Sequence, residues 1–231
     1  MFEALLSGLI AGFLWLDRYQ LFQLLLSRPI ICAPITGLIL GNLAAGCTVG
    51  LMYELLWLRR PPVGGYIAPD TTLASISATT IAILLIGNTP VGVLSSSCLA
   101  FVTTYPLTIV ASRYDIAFRI ILGKLAILAE NAIIRNGDQS VISYMLTGLV
   151  LAFLSAFFLV VFYVLAGFHA LSWLIKNPLH NYFNSLEIGF YVILMISIAD
   201  LIGAFADRFQ TTIFVMGLAL TMTICYALNL I

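Results

Sequence analysis

Charged residues are scarce in this sequence of 231 residues: ten Lys and Arg and ten Asp and Glu make up 9% of the chain. An ordinary soluble domain carries about 25% charged residues, so this chain has too little polar surface to coat a soluble particle of its size. The equal numbers of basic and acidic residues leave no basic excess, which argues against a protein that binds nucleic acid by electrostatic attraction.

Paired cysteines and the familiar catalytic motifs are also missing. The sequence contains no GxSxG, HExxH or GxxxxGK(S/T) motif. The four cysteines stand singly in apolar runs without a CxxC pair, which fits neither a zinc site nor a disulfide framework and predicts buried small apolar side chains. We therefore expect no catalytic residues, no metal and no cofactor. These cysteines are Cys32, Cys47, Cys98 and Cys225.

Hydrophobic residues make up 62% of the chain, and its mean hydropathy is +1.10. This composition predicts an all-α integral membrane protein, a multi-helix bundle with broken or re-entrant helices. We expect one membrane domain over residues 1–231, divided into N-terminal helices (1–112), a polar connection (113–138) and C-terminal helices (139–231).

The N-terminal run 1–16 is apolar but carries Glu3 where a cleavable signal would have basic residues, so we expect a retained membrane element. It either continues past Asp17 or ends there as a tilted helix with a polar end. Gln20 and Gln23 lie three apart, which places them on one helical face and favours an interfacial helix end.

Glycines recur every four or five residues between Ile30 and Leu58, a spacing that predicts a smooth face for close helix packing. Asn42 in the middle of this run favours two half-length segments with a break near Gly41. Pro29 opens the run, because proline's missing N–H is not needed in the first turn of a helix. The glycines are Gly37, Gly41, Gly46 and Gly50.

The stretch from Glu54 to Ile76 places charge and broken backbone between apolar flanks. An ionisable residue such as Glu54 is costly at membrane depth and is treated as functional by default. The segment 59–62, with two adjacent prolines, forbids a regular helix, and the paired glycines at 64–65 permit unusual backbone angles. Asp70 is a good N-cap for a helix over 71–85, whose positive dipole end would face the same place as Glu54.

A turn at 87–90 predicts a helical hairpin over 71–112. The segment 113–138 repeats apolar residues at helical spacing among charged ones, which predicts a separate amphipathic helix at the membrane surface. Its four basic residues place it on the cytoplasmic side by the positive-inside rule. They are Arg113, Arg119, Lys124 and Arg135.

The run 141–175 is too long for one simple span of about 20 residues, so it is either one long tilted helix or a helix broken near Gly167. Two further apolar runs, 186–206 and 209–231, complete the chain. Lone His169 is most simply an interfacial residue. Asp200 is either a structural hydrogen-bonding group or, less simply, a coupling-ion site.

Broken helices that meet at membrane depth can hold a polar solute without exposing backbone to lipid. Carboxylate oxygens accept hydroxyl hydrogen bonds, so Glu54 and Asp70 suit a neutral polyol such as a sugar. The spacing alone leaves a cation open. The sequence therefore predicts a permease rather than an enzyme.

Two segments closely resemble the membrane-spanning C subunit (EIIC) of the mannose/fructose/sorbose family of the bacterial phosphotransferase system (PTS). They are SRPIICAPITGLILGN, at 27–42, and YELLWLRRPPVGGYIAPDTTLASI, at 53–76. The resemblance is specific over roughly residues 27–80, and beyond it the order and length of the apolar runs agree.

This resemblance implies a multi-pass sugar permease subunit of the bacterial inner membrane, without phosphoryl-transfer chemistry of its own. Its partners would be a membrane D subunit (IID), cytoplasmic IIA and IIB proteins that phosphorylate the sugar, and further C/D pairs in a trimer. The family's sugar site maps onto Glu54, Pro62, Gly64, Pro69 and Asp70.

The turn before Asp70 departs from the mannose-type pattern: Arg59 replaces a glycine, and Pro62 replaces a sugar-binding amide. Proline's side chain offers no donor or acceptor to a hydroxyl, which argues against mannose. The arginines at 59–60 either neutralise Glu54 or favour a different substrate. The alternative is a degenerate or regulatory membrane component that assembles with PTS partners but transports little.

Overall fold

The computed structural model describes residues 1–21, 23–58, 69–136, 139–176 and 186–205. Throughout these ranges the regular structure is helical and no strand occurs, which confirms the all-α prediction. The helices are α1 (Phe2–Tyr19), α2 (Pro29–Ile39), α3 (Leu43–Trp57), α4 (Thr71–Asn88), α5 (Val93–Asn136), α6 (Gln139–Lys176) and α7 (Glu187–Phe205).

Three of the described helices contain stretches long and apolar enough to cross a membrane, namely α4, α5 and α6. Helices α2 and α3 are shorter, at 11 and 15 residues. At 1.5 Å per residue they reach only about 16 and 22 Å, less than the ~30 Å hydrocarbon core of a bilayer. Together they form the helix pair that the sequence predicted.

The predicted break between α2 and α3 is confirmed at Gly41. Its φ is +85°, in the left-handed region that glycine adopts without steric cost. Asn42 then caps α3, because its side-chain oxygen accepts a hydrogen bond from the backbone N–H of Ala45 at 3.0 Å.

The regularly spaced glycines allow the close helix packing that the sequence predicted. A Cβ atom on Gly46 would lie 2.5 Å from the carbonyl oxygen of Ala33, and one on Gly50 would lie 2.7 Å from that of Pro29. The backbones of α2 and α3 are therefore in direct contact, which only glycine permits at these positions.

Helix α4 occupies the centre of the structure and is buried along most of its length. It is three residues longer than predicted, ending at Asn88, and the turn accordingly follows at 89–92. Its buried hydroxyls mostly bond within the helix: Thr79 and Thr80 donate to the carbonyl oxygens of Ser75 and Ile76, both at 2.9 Å. These bonds let an apolar helix with several hydroxyl side chains pack inside the core.

The segment 113–138 was predicted to be a separate amphipathic helix, but its residues 113–136 are the second half of α5, a continuous helix of 44 residues, and 137–138 lie outside the described residues. The proposed boundary at 112/113 therefore falls inside α5. The sequence becomes more polar near Arg113, but the helical backbone continues. The ion pair between Nη2 of Arg119 and Oδ2 of Asp115, 3.1 Å apart, stabilises the helix there. At about 66 Å, α5 is more than twice as long as the bilayer core is thick.

Helix α6 is also continuous, which confirms the long-helix alternative for the run 141–175. Helix α1 extends past Asp17 to Tyr19 and packs along α6. The close approach depends on Gly12, because a Cβ there would meet the ring of Phe153 at 2.6 Å. Helix α7 corresponds to the predicted run 186–206, and the last run, 209–231, lies outside the described residues.

The packing of α2 on α3 gives a first prediction. Gly46→Ala places a methyl group against the Ala33 carbonyl oxygen, and overpacking of this kind typically costs about 1–3 kcal/mol. We expect a lower thermal unfolding midpoint in detergent. Gly87→Ala is the matched control, because a Cβ at Gly87 meets no atom within 4 Å. Equal midpoints for both variants would contradict the close helix contact.

Candidate functional site

The ends of α1, α2, α3 and α4 meet around the segment that joins α1 to α2. The hydroxyl of Thr72, in the first turn of α4, donates to the carbonyl oxygen of Ser27 at 2.7 Å. Arg28, the N-cap residue of α2, contacts Glu54 in the last turn of α3. Short helices thus bring the two predicted carboxylates, Glu54 and Asp70, to neighbouring positions.

Asp70 is fully buried, and both of its carboxylate oxygens are engaged. Oδ1 accepts hydrogen bonds from the backbone N–H groups of Thr72 and Leu73, at 3.0 and 3.3 Å, which confirms the predicted N-cap. The same oxygen lies 2.7 Å from Nη1 of Arg18, and Oδ2 accepts from Nε1 of Trp15 at 2.8 Å. The charge and hydrogen bonds of these partners offset the hydration that a carboxylate loses on burial.

The backbone extends the Asp70 contacts to a third helix. The N–H of Asp70 donates to the carbonyl oxygen of Thr108 in α5 at 3.1 Å. Asp70 therefore joins α1, α4 and α5 at one point. Sequence reasoning missed Trp15 and Arg18 as its partners; their spacing of three residues, which places them on one face of α1, was the available signal.

Glu54 is held more loosely than Asp70. Its Oε1 lies 3.3 Å from Nη1 of Arg28, and its Oε2 accepts from the backbone N–H of Ile30 at 3.4 Å. Both distances exceed the usual 2.7–3.2 Å range for N–H···O bonds. The Arg28 side chain is half exposed, so other donors can replace these bonds at low cost. The sequence suggested the arginines at 59–60 as partners for Glu54. In the structure, Arg28 is a partner of Glu54.

Cys32 of α2 contacts α4 next to the site. Its thiol is 3.2 Å from the hydroxyl of Ser75. Cys32 and Cys98 are buried, as predicted, but Cys47 is exposed. That prediction failed for Cys47 because an apolar flanking sequence does not reveal which face of a short helix is covered.

The remaining predicted site residues come from the turn before α4. Pro69 is partly buried and immediately precedes Asp70. Pro62 and Gly64, together with the arginines at 59–60, lie outside the described residues.

A cavity of about 280 Å³ with both polar and apolar side chains in its lining lies between the end of α1 and α5. Arg119 pairs with the almost fully buried carboxylate of Asp115 at 3.1 Å. The side-chain oxygen of Gln20 is buried and has no hydrogen-bond partner among the described residues. The cavity is lined by Trp15, Gln20, Asp115, Phe118, Arg119 and Leu122.

The helical interpretation of the two glutamines was wrong in part. Gln20 is the C-cap residue of α1, but Gln23 lies in the following loop with a φ of +52°. The pair therefore does not share a helical face. The carboxylate of Asp17 holds this loop by accepting the backbone N–H groups of Leu24, at 2.8 Å, and Ser27, at 3.4 Å.

The other candidate polar residues lie on the later helices α6 and α7. His169 is exposed on α6, and Asp200 is partly buried on α7. Within the described ranges, no group of three or more His, Cys, Asp or Glu side chains is arranged to hold a metal ion.

Comparisons with known proteins agree with the resemblance to the phosphotransferase C subunit. The family model described as "PTS system sorbose-specific iic component" matches residues 1–231. A putative N-acetylgalactosamine permease IIC component 2 of Escherichia coli K12 is 31% identical over 83 residues, which is 36% of this chain and 62% of that protein. The mannose-specific EIIC component of the same strain is 29% identical over 129 residues, which is 56% of this chain and 43% of that protein.

Two solved structures share the fold. A chain described as a membrane protein superimposes with a TM-score of 0.66 at 21% identity and covers 100% of this chain and 95% of its own. A chain of the mannose transporter ManYZ in complex with microcin E492 superimposes with a TM-score of 0.58 at 22% identity and covers 99% of this chain and 94% of its own. These matches, with the apolar helices, establish a multi-pass membrane protein. Because the family model spans residues 1–231, the chain belongs to the sorbose-specific IIC component family of the PTS.

Proposed function

We propose that this chain is the sugar permease subunit of a phosphoenolpyruvate-dependent phosphotransferase system. The observation that carries the proposal is the meeting of four helix ends around two carboxylates, Glu54 and Asp70, in a chain of the IIC family. Short helices let free backbone groups and carboxylates hold a polar solute away from lipid.

The two carboxylates take different roles in this proposal. Glu54 accepts sugar hydroxyls directly, because its long bonds to Arg28 and Ile30 exchange readily for hydroxyl donors. Asp70 fixes the end of α4 and reaches a hydroxyl only if Trp15 or Arg18 gives way. The family resemblance implies that Pro62, Gly64 and Pro69 complete this sugar site.

In this proposal the chain performs no phosphoryl transfer. Cytoplasmic IIA and IIB proteins phosphorylate the sugar, and a IID subunit pairs with this chain in the membrane, with C/D pairs assembling into a trimer. Family membership supports these partners. The large exposed apolar surface of α6 needs lipid or protein cover, which leaves a face for the membrane IID subunit. Phe158 and Phe162, for example, are 63% and 73% exposed.

The direct test is uptake by vesicles that contain this chain with its IID, IIA and IIB partners. We expect phosphorylated sugar to accumulate for at least one member of a hexose, hexosamine and ketose panel, and only with the phosphate donor present. A complex that is fully assembled yet inactive across the panel would overturn the permease proposal and favour the degenerate or regulatory component.

Glu54→Gln tests the direct acceptor. Hydrogen bonds to charged groups contribute about 1.5–3 kcal/mol, so we expect uptake at limiting sugar to fall about ten-fold or more while assembly with IID is retained. Glu130→Gln is the matched control, because Glu130 is an exposed carboxylate of α5 away from the site. Equal uptake by both variants would remove Glu54 from the sugar site.

Asp70→Asn tests the anchoring role. It leaves the charge of Arg18 without its carboxylate, and breaking a buried pair in this way costs about 3–5 kcal/mol. We expect a lower thermal unfolding midpoint in detergent than for Glu54→Gln. The double variant Arg18→Gln with Asp70→Asn should recover part of the lost stability. No recovery would show that the ion pair is not what anchors α4.

A further inference from the structure

The cavity between α1 and α5 combines three kinds of hydrogen-bonding group with apolar side chains. The carboxylate of Asp115 only accepts, the guanidinium of Arg119 only donates, and the amide of Gln20 does both. A sugar hydroxyl can donate and accept, so it can bond to all three. Aromatic rings close one side: those of Trp15 and Phe118 lie 5.5 Å apart in an edge-to-face arrangement.

The side-chain oxygen of Gln20 calls for a ligand with a hydrogen to donate. This oxygen is buried and has no hydrogen-bond partner among the described residues, and the Gln20 residue lines the cavity. A buried polar atom without a partner is destabilising. The carboxylate of Asp115 is almost fully buried beside it, which makes the cavity costly to maintain for packing alone.

Trp15 is the wall between this cavity and the Asp70 site. Its indole N–H donates to Oδ2 of Asp70 at 2.8 Å, while the same side chain lines the cavity. Along α5, Thr108 contacts the backbone of Asp70, and Asp115 follows seven residues later. At 1.5 Å per residue, the cavity lies about 10 Å further along the helix.

The positive-inside rule assigns this cavity to the cytoplasmic side of Asp70. The half of α5 that forms it carries the basic residues that the positive-inside rule places toward the cytoplasm. A solute that leaves Glu54 and Asp70 in that direction meets this cavity before it reaches the cytoplasm. The basic residues are Arg113, Arg119, Lys124 and Arg135.

We propose that the cavity lined by Gln20, Asp115 and Arg119 is a second sugar subsite, which holds the unphosphorylated sugar on the cytoplasmic side. The inference rests on the proposed permease function. Asp115 and the oxygen of Gln20 accept hydroxyl hydrogen bonds, Arg119 donates one, and Phe118 packs against the apolar edge of the ring. With a volume of about 280 Å³, the cavity accommodates a hexose-sized polyol.

The test compares sugar binding from the two sides of the membrane. The assembled complex, without IIA and IIB, is placed in right-side-out and inside-out vesicles, and binding of radiolabelled sugars from the same panel is measured. We expect Gln20→Leu and Asp115→Asn each to weaken binding from the cytoplasmic face roughly ten-fold and to leave external binding unchanged. Glu54→Gln should weaken external binding instead.

Matched controls are Asn131→Leu for the amide and Glu130→Gln for the carboxylate, because both residues are exposed on α5 outside the cavity. Co-purification with IID checks that each variant assembles. The swap Asp115→Arg with Arg119→Asp keeps an ion pair four residues apart. If this swap restores sugar binding from the cytoplasmic face, the ion pair has only a structural role and the proposal of a sugar subsite is wrong.

A second outcome would also overturn the subsite. An apolar groove of about 340 Å³ shares Gln20 and Leu122 with the cavity, so a lipid headgroup is a competing occupant. Unchanged sugar binding from both faces, with loss of bound phospholipid from the purified Gln20→Leu complex, would assign the cavity to lipid. Failure of the wild-type complex to bind any sugar on either face would instead overturn the permease function itself.

Discussion

The buried carboxylate of Asp70 is the constraint on which this structure depends. A carboxylate at membrane depth is tolerated only when charge and hydrogen bonds compensate for its lost hydration. Arg18 supplies the charge, and the indole of Trp15 and the first turn of α4 supply the bonds. Because these groups come from different helices, satisfying one side chain fixes where α1 ends and where α4 begins.

The contrast with Glu54 shows how one site can contain both a fixed and an exchangeable carboxylate. Asp70 is fully buried, with an Arg18 contact of 2.7 Å, whereas Glu54 retains some exposure and its Arg28 contact is 3.3 Å. A fixed group can orient the elements around a solute, and a loosely held one can exchange its partners for the solute's hydroxyls. In the proposed sugar site, Asp70 therefore orients the helix ends, and Glu54 exchanges its partners for hydroxyls.

Features that depend on local sequence were predictable. The break at Gly41, the cap at Asp70 and the glycine contacts between α2 and α3 follow from backbone geometry and from donors and acceptors a few residues away. The partners of the carboxylates were not predictable in this way, because Arg18 and Asp70 lie 52 residues apart and only the tertiary fold brings them together. The polar half of α5 was wrongly predicted to be a separate helix. Side-chain polarity reflects the surroundings of a helix, whereas a helix ends where its backbone hydrogen bonding ends.

The continuity of α5 connects the two proposed sugar positions. Thr108 meets Asp70, and Asp115 borders the second cavity, so one helix carries a contact to each. Pro106 removes a backbone donor from α5 just before Thr108, and at that level Tyr163 of α6 donates to the carbonyl oxygen of Thr103 at 2.9 Å. Helix α6 thus supports α5 near the point where its own bonding is weakest. A shift of α5 at Asp70 would therefore move the wall of the second cavity with it, since the helix between them is uninterrupted.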